Sequence, residues 1–161
     1  MADRRFIDPT GRQWDSKYEY QVYEHLRLLG YDVRKCSAEE GDTLAYTSNV
    51  RKARCLECQS DQVVQDRTYT PDLHVSDLHR PGATGTMGSY LECKGYWKPA
   101  KRNLSRSFVR SNPDINLVFV FQNNGWITKG KSRYTDYVNR YFKSCSCVVW
   151  RQGQDFSFFG G

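Results

Sequence analysis

The segment Tyr90-Leu91-Glu92-Cys93-Lys94 alternates polar and apolar side chains, and a period of two fits a strand with one charged face. Glu92 and Lys94 then point to one side, and Leu91 and Cys93 to the other, with Cys93 a small core residue. Upstream lies Thr68-Tyr69-Thr70-Pro71-Asp72, and nineteen residues separate Asp72 from Glu92. The proline fixes φ and marks a strand edge or bend rather than a helix. Two carboxylates converging on one face suit a hard cation such as Mg²⁺, which prefers oxygen ligands. A lysine beside them can orient or help deprotonate an attacking water and stabilise charge developing on a phosphate. Each fragment alone is ordinary, since Pro-Asp pairs are common in turns and Glu-x-Lys on solvated strand faces. Their combination reads as a metal-dependent nuclease core.

Charge distribution points to a polyanionic partner. Net charge is +6 with a pI of about 9.0. Residues 94–143 hold eleven Lys or Arg against only Asp114 and Asp136, whereas the remainder of the chain is net −3. DNA phosphates are the partner expected from such asymmetry. The 161 residues suit one domain. At 39% hydrophobic and a mean hydropathy of −0.75, they hold no run approaching a membrane span. The start, Met1-Ala2-Asp3-Arg4-Arg5, lacks the apolar stretch of a secretory signal, so a cytoplasmic protein is expected.

Along the chain, residues 1–15 read as a polar, irregular arm with a turn at Asp8-Pro9-Thr10-Gly11. A single domain is expected over 16–150 and an apolar tail over 151–161, suited to docking on the body or on a partner. Tyr18, Val22, Leu26 and Leu29 recur at helical spacing and Gly30 closes that helix. Tyr31-Asp32-Val33 begins a strand. Segment 34–67 reads as a hairpin or bridge whose tip carries Cys55-x-x-Cys58. A helix from about Lys98 to Ser111 presents Arg102, Arg106 and Arg110 on one face and Leu104 and Phe108 on the other. Ile115 to Phe121 suits a strand buried on both faces. A helix from about Arg133 to Lys143 and a short strand from Cys147 to Trp150 complete the pattern.

Thr70-Pro71-Asp72, Glu92-x-Lys94-Gly95-x-Trp97, the basic helix ending at Asn112-Pro113-Asp114 and the strand Ile115 to Phe121 occur in an order that resembles phage endonuclease I. That family comprises junction-resolving enzymes of the PD-(D/E)xK nuclease superfamily. The similarity runs from about Ser16 to the Lys129-Gly130 turn and more weakly to Trp150. The resemblance implies an α/β fold with a restriction-endonuclease-like PD-(D/E)xK core, a mixed central sheet flanked by helices. It implies a Mg²⁺-dependent (or Mn²⁺-dependent) endodeoxyribonuclease that resolves four-way (Holliday) junctions and other branched DNA. Two ions per active site would be held by Asp72, Glu92, the Cys93 backbone carbonyl and a helical glutamate, with Lys94 orienting the water. Glu19, eleven residues before Gly30, matches that glutamate, and Glu24 on the same helix is its competitor. The resemblance further implies an intertwined, segment-exchanged homodimer in which one chain's Glu19 joins the other's Asp72, Glu92 and Lys94. Segment 34–67 is longer than that family's bridge. A phage origin would place the protein in the host cytoplasm.

Around this site Lys98, Lys101, Arg102, Arg106 and Arg110 are expected to contact phosphates, with Lys129, Lys131 and Arg133 as a second patch. Such contacts position a backbone without reading sequence. Tyr96 and Trp97 suit stacking on bases, with core packing the competing role for Trp97. Three acids in one pocket repel one another, so their pKa values are expected to rise without a cation, at a cost to stability. His74 shares a strand face with Asp72 and is expected to line the site.

Six cysteines in a cytoplasmic chain argue against a disulfide framework. Cys55 and Cys58 have zinc-knuckle spacing but supply only two of the usual four ligands. His74 and His79 do not complete the set, because Pro71 and Pro81 bracket them. Cys36 or the pair Cys145 and Cys147 are the other thiolates available for a structural Zn²⁺, and reduced thiols on a hairpin tip are the alternative. Two other functions compete with junction resolution. One is a sequence-specific or nicking nuclease of the same superfamily; the other is a non-catalytic DNA-binding protein with a zinc knuckle.

Overall fold

A computed structural model describes residues 5–50, 63–78 and 88–156 of the chain. Helix α1 (Lys17–Leu28) starts where Ser16 Oγ accepts the Glu19 N–H at 3.1 Å, and it buries Tyr18, Glu19, Val22 and Leu26. Gly30, at φ +90°, turns the chain out of the helix. Strand β3 (Val33–Lys35) follows and forms one edge of the main sheet.

The central sheet also contains β6 (Leu73–Val75), β7 (Ser89–Lys94), β8 (Leu117–Phe121) and β11 (Ser146–Val149). Their order is β11-β8-β7-β6-β3. The β3–β6 and β6–β7 pairings are antiparallel, whereas β7–β8 and β8–β11 are parallel. Parallel neighbours require crossovers, and helices α2 (Pro99–Ser111) and α3 (Tyr134–Tyr141) supply them. Strand β8 is buried at all five positions, as its continuous apolar run predicts. The sheet is therefore mixed and flanked by three helices.

Two cores lie on the two faces. Leu91, Cys93, Leu73, Val75, Val118 and Val120 meet α1, Trp14 and Trp150 on one side. Trp97, Phe119 and Phe121 meet Phe108 of α2 and Val138 of α3 on the other. Full burial of each large apolar side chain stabilises the fold by about 1.5–3 kcal/mol.

The first fifteen residues differ from an irregular arm. Strands β1 (Phe6–Ile7) and β2 (Gln13–Trp14) form an antiparallel hairpin, and Trp14 is wholly buried against α1. The Asp8 carboxylate organises the turn by accepting from Thr10 N and Oγ1, Arg12 N and Trp14 Nε1, at 2.7–3.0 Å. These hydrogen bonds, that of the Thr10 hydroxyl foremost, lower its pKa to about 2.

Segment 34–67 proves to contain part of a two-stranded ribbon, β4 (Leu44–Val50) paired with β5 (Val63–Tyr69). It lies on its own chain's α2: Ser111 Oγ accepts the Thr47 N–H at 3.0 Å, and Asn112 Nδ2 donates to Ala45 O at 3.0 Å. Cys55, Cys58 and His79 lie outside the described residues. A smaller hairpin, β9 (Trp126–Thr128) with β10 (Ser132–Arg133), carries the Lys129-Gly130 turn. In the tail, Phe156 packs on Trp150 and His25. Among the described residues, no helix is long and apolar enough to cross a membrane.

Gly88, at φ +66°, feeds the chain into β7, and a Cβ there would meet Val75 O at 2.3 Å and Ser76 Cα at 2.7 Å. Gly88→Ala is expected to lose about 1–3 kcal/mol from backbone strain alone, with the overlap adding to it. Gly153→Ala, at φ +88° in open space, bears only the strain. Urea unfolding compares the two; equal losses would contradict this.

Candidate active site

Asp72 is pinned by its backbone before its side chain acts. Its N–H donates to Leu91 O at 3.1 Å and its carbonyl accepts the Cys36 N–H at 3.0 Å, so β7 and the end of β3 hold it from both sides. β6 begins only at Leu73, so the Cys93 N–H lies beyond the end of that ladder. The Asp72 carboxylate takes it instead, at 2.7 Å.

Lys94 Nζ lies 3.4 Å from Asp72 Oδ2 and 2.5 Å from Glu92 Oε2. Glu92 and Lys94 thus share a face, opposite the core positions Leu91 and Cys93, as the alternation predicts. Glu92 is 1% exposed, covered by the β8 and α2 core and by Tyr69 of the ribbon. The Lys94 ammonium pairs closely with Oε2, and it and the Tyr69 hydroxyl both act as donors towards this carboxylate. Burial first, then the charge of Asp72, raises the Glu92 pKa to about 7 against the pull of Lys94. For Lys94, burial works against the charge, but Asp72 and Glu92 outweigh it and its pKa is raised. Lys94 is therefore held as an ammonium, a hydrogen-bond donor rather than a base.

Glu19, on the first turn of α1, is buried and faces Lys35 of β3, whose Nζ lies 3.8 Å from Glu19 Oε1. Lys35 also donates to Gln13 O at 2.9 Å and lies over the Trp14 ring, tying the N-terminal hairpin to this acid. Burial and then the Asp72 charge raise the Glu19 pKa to about 8, with Lys35 opposing and Asp15 adding to the rise. Glu19 thus enters the field of Asp72 from within one chain, where the resemblance implies donation by a second. Glu24, its competitor, pairs with Arg27 at 3.1 Å instead. Lys35 and Asp15 are neighbours that no spacing signals, because the β3 register and the hairpin place them.

His74 lies opposite Tyr90 in the β6–β7 ladder, its ring 4.9 Å from the Tyr90 ring and tilted 59° to it. Cys36 is buried, and burial first, then the charge of Asp42, pushes its thiol up to about 12.

Among the described residues, no group of three or more His, Cys, Asp or Glu side chains is placed to hold a metal ion. The donor chemistry nevertheless fits a hard cation. Asp72 acts by its charge on both Glu92 and Glu19, Glu19 Oε1 is buried without a hydrogen bond, and carboxylate oxygens are what Mg²⁺ prefers. The Lys94 ammonium draws Asp72 and Glu92 together.

The basic residues spread outward from this point. Lys98, Lys101, Arg106 and Arg110 are exposed along α2, and Lys129, Lys131 and Arg133 are exposed around the β9–β10 hairpin. None of the seven enters an ion pair among the described residues. Arg102 differs: half-buried, it donates to Trp97 O at 2.6 Å and so braces the chain after Lys94. Trp97 itself is fully buried, which settles its role as core.

Comparison with known protein families, curated proteins and solved structures returns no match to this chain.

Both raised acids have a stability consequence whose sign is fixed. Unfolded glutamates release their protons near 4.5, whereas folded Glu92 and Glu19 hold theirs to about 7 and about 8. Between these limits the unfolded state binds fewer protons, so stability falls as pH rises. The contribution is fully present below about 4.5 and gone above about 8. Without divalent cations, the thermal midpoint is expected to drop across this window and to drop less in a Glu19→Gln/Glu92→Gln variant. Added Mg²⁺ restores the midpoint at the alkaline end. An unchanged slope in the double variant would contradict the assignment.

Proposed function

We propose that this chain is a metal-dependent endodeoxyribonuclease with a PD-(D/E)xK-type core that hydrolyses phosphodiesters in branched DNA, four-way junctions foremost. The observation that carries the proposal is Lys94 held between Asp72 and fully buried Glu92 at the end of the β6–β7 ladder. Such a concentration of buried charge serves no packing purpose and costs stability.

Asp72, Glu92, Glu19 and the Cys93 carbonyl are the groups assigned to hold Mg²⁺ or Mn²⁺, two ions per site. The cation, when bound, supplies Lewis acidity and an activated water. This chain's own residues do the rest. The Cys93 N–H fixes the Asp72 carboxylate. Lys94, a charged donor, orients the water and offsets charge developing on the phosphate. The unpaired lysines and arginines of α2 and the β9–β10 hairpin hold flanking phosphates, a mode that favours DNA shape over sequence.

Paired cuts across a junction require two sites, so the proposal includes a homodimer.

Incubation with a four-way junction and a matched linear duplex in Mg²⁺ tests the proposal, with junction-selective cutting expected. Equal or site-specific duplex cutting would favour a sequence-specific or nicking enzyme, and binding without cutting a non-catalytic DNA-binding protein. Lys94→Ala is expected to retain junction binding while the cutting rate falls on the order of 10²–10³-fold. Normal turnover in that variant would contradict the role given to Lys94.

A further inference from the structure

Tyr96 is 71% exposed, while its neighbour Trp97 is wholly buried. It stands two residues beyond Lys94, so the two Cα atoms lie within about 7 Å of each other. The residue after it is firmly held. The Trp97 N–H donates to Tyr134 Oη at 3.2 Å, the Trp97 carbonyl accepts from Arg102 at 2.6 Å, and the indole packs on Phe119 and Phe121.

Other exposed aromatic rings on this surface are already covered. Arg133 lies 3.9 Å over Trp126, and Tyr141 meets Arg106, Arg140 and Tyr137. Among the described residues, no ring or guanidinium stacks on Tyr96. Lys98 and Lys101 follow it, exposed and outside any ion pair among the described residues.

A bare aromatic face beside free ammonium groups suits a nucleobase stacked on the ring with its phosphates on the lysines. A paired duplex keeps its base faces inside the stack, whereas a branch point leaves some uncovered. We propose that Tyr96 is a stacking platform for a nucleobase unstacked at a DNA branch point, and that it contributes the preference for branched over linear DNA. This rests on the nuclease function proposed above.

The test measures binding of wild type, Tyr96→Ala and Tyr96→Phe to a synthetic four-way junction and to a linear duplex of the same arm sequence, in EDTA. Tyr96→Ala is expected to weaken junction binding about tenfold or more and duplex binding by less than about twofold, with Tyr96→Phe close to wild type. An unchanged junction affinity in Tyr96→Ala, or an equal loss on both DNAs, would overturn the platform. Wild-type cutting in Mg²⁺ is scored in parallel. A wild type that cuts neither DNA overturns the nuclease function, whereas intact cutting with intact Tyr96→Ala binding overturns the platform alone.

Discussion

The contact of Lys94 with Asp72 and Glu92 is the constraint around which this fold is arranged. Removing a charge from water costs several kcal/mol per ion in a protein interior. Three such groups at the end of one ladder persist only because each is fixed and partly offset. Asp72 is held through its backbone by β7 and by Cys36, and its carboxylate by the Cys93 N–H. Glu92 is shut from water by the ribbon's Tyr69 and by the core beneath α2. The ribbon in turn rests on α2 through Thr47, Asn112 and the packing of Tyr69 on Phe108. The far side follows the same logic, with Lys35 linking Glu19 to the N-terminal hairpin.

The offset is incomplete, and that is its chemical significance. The Glu92 and Glu19 pKa values stay raised to about 7 and about 8 despite Lys94 and Lys35, because burial and the Asp72 charge outweigh the two ammonium groups. Under the proposed function, a bound divalent cation would offset these buried carboxylates more fully than lysine does. The raised pKa of Lys94 also limits what that residue can do: it can donate to a water or a phosphate oxygen, but it is a poor proton acceptor.

Much of this was legible in the sequence, for identifiable reasons. The helices announced themselves through periodicity and through the Gly30 stop, and β8 through its continuous apolar run. The Glu92–Lys94 face followed from strand alternation alone. What stayed hidden was either too short or too dependent on register. Strands of two or three residues, as in β1–β2 and β9–β10, lack the length over which a period of two can show. Trp14 therefore gave no sign that the first fifteen residues dock. Lys35 reaches Glu19 only because β3 adds to the sheet beside β6. Arg102 matches the arginine stripe of α2, yet its reach to the Trp97 carbonyl is a local bond that no stripe distinguishes.

The central claim of the proposed function is that Asp72, Glu92 and Glu19 bind a cation in exchange for the protons that the two glutamates hold. Calorimetric titration with Mn²⁺ at pH 7, in two buffers of different ionisation enthalpy, tests it most directly. Glu19 and part of the Glu92 population are protonated at that pH, so binding is expected to release protons, and Glu92→Gln to reduce both the release and the affinity. No binding, or binding with no proton release, would contradict the claim.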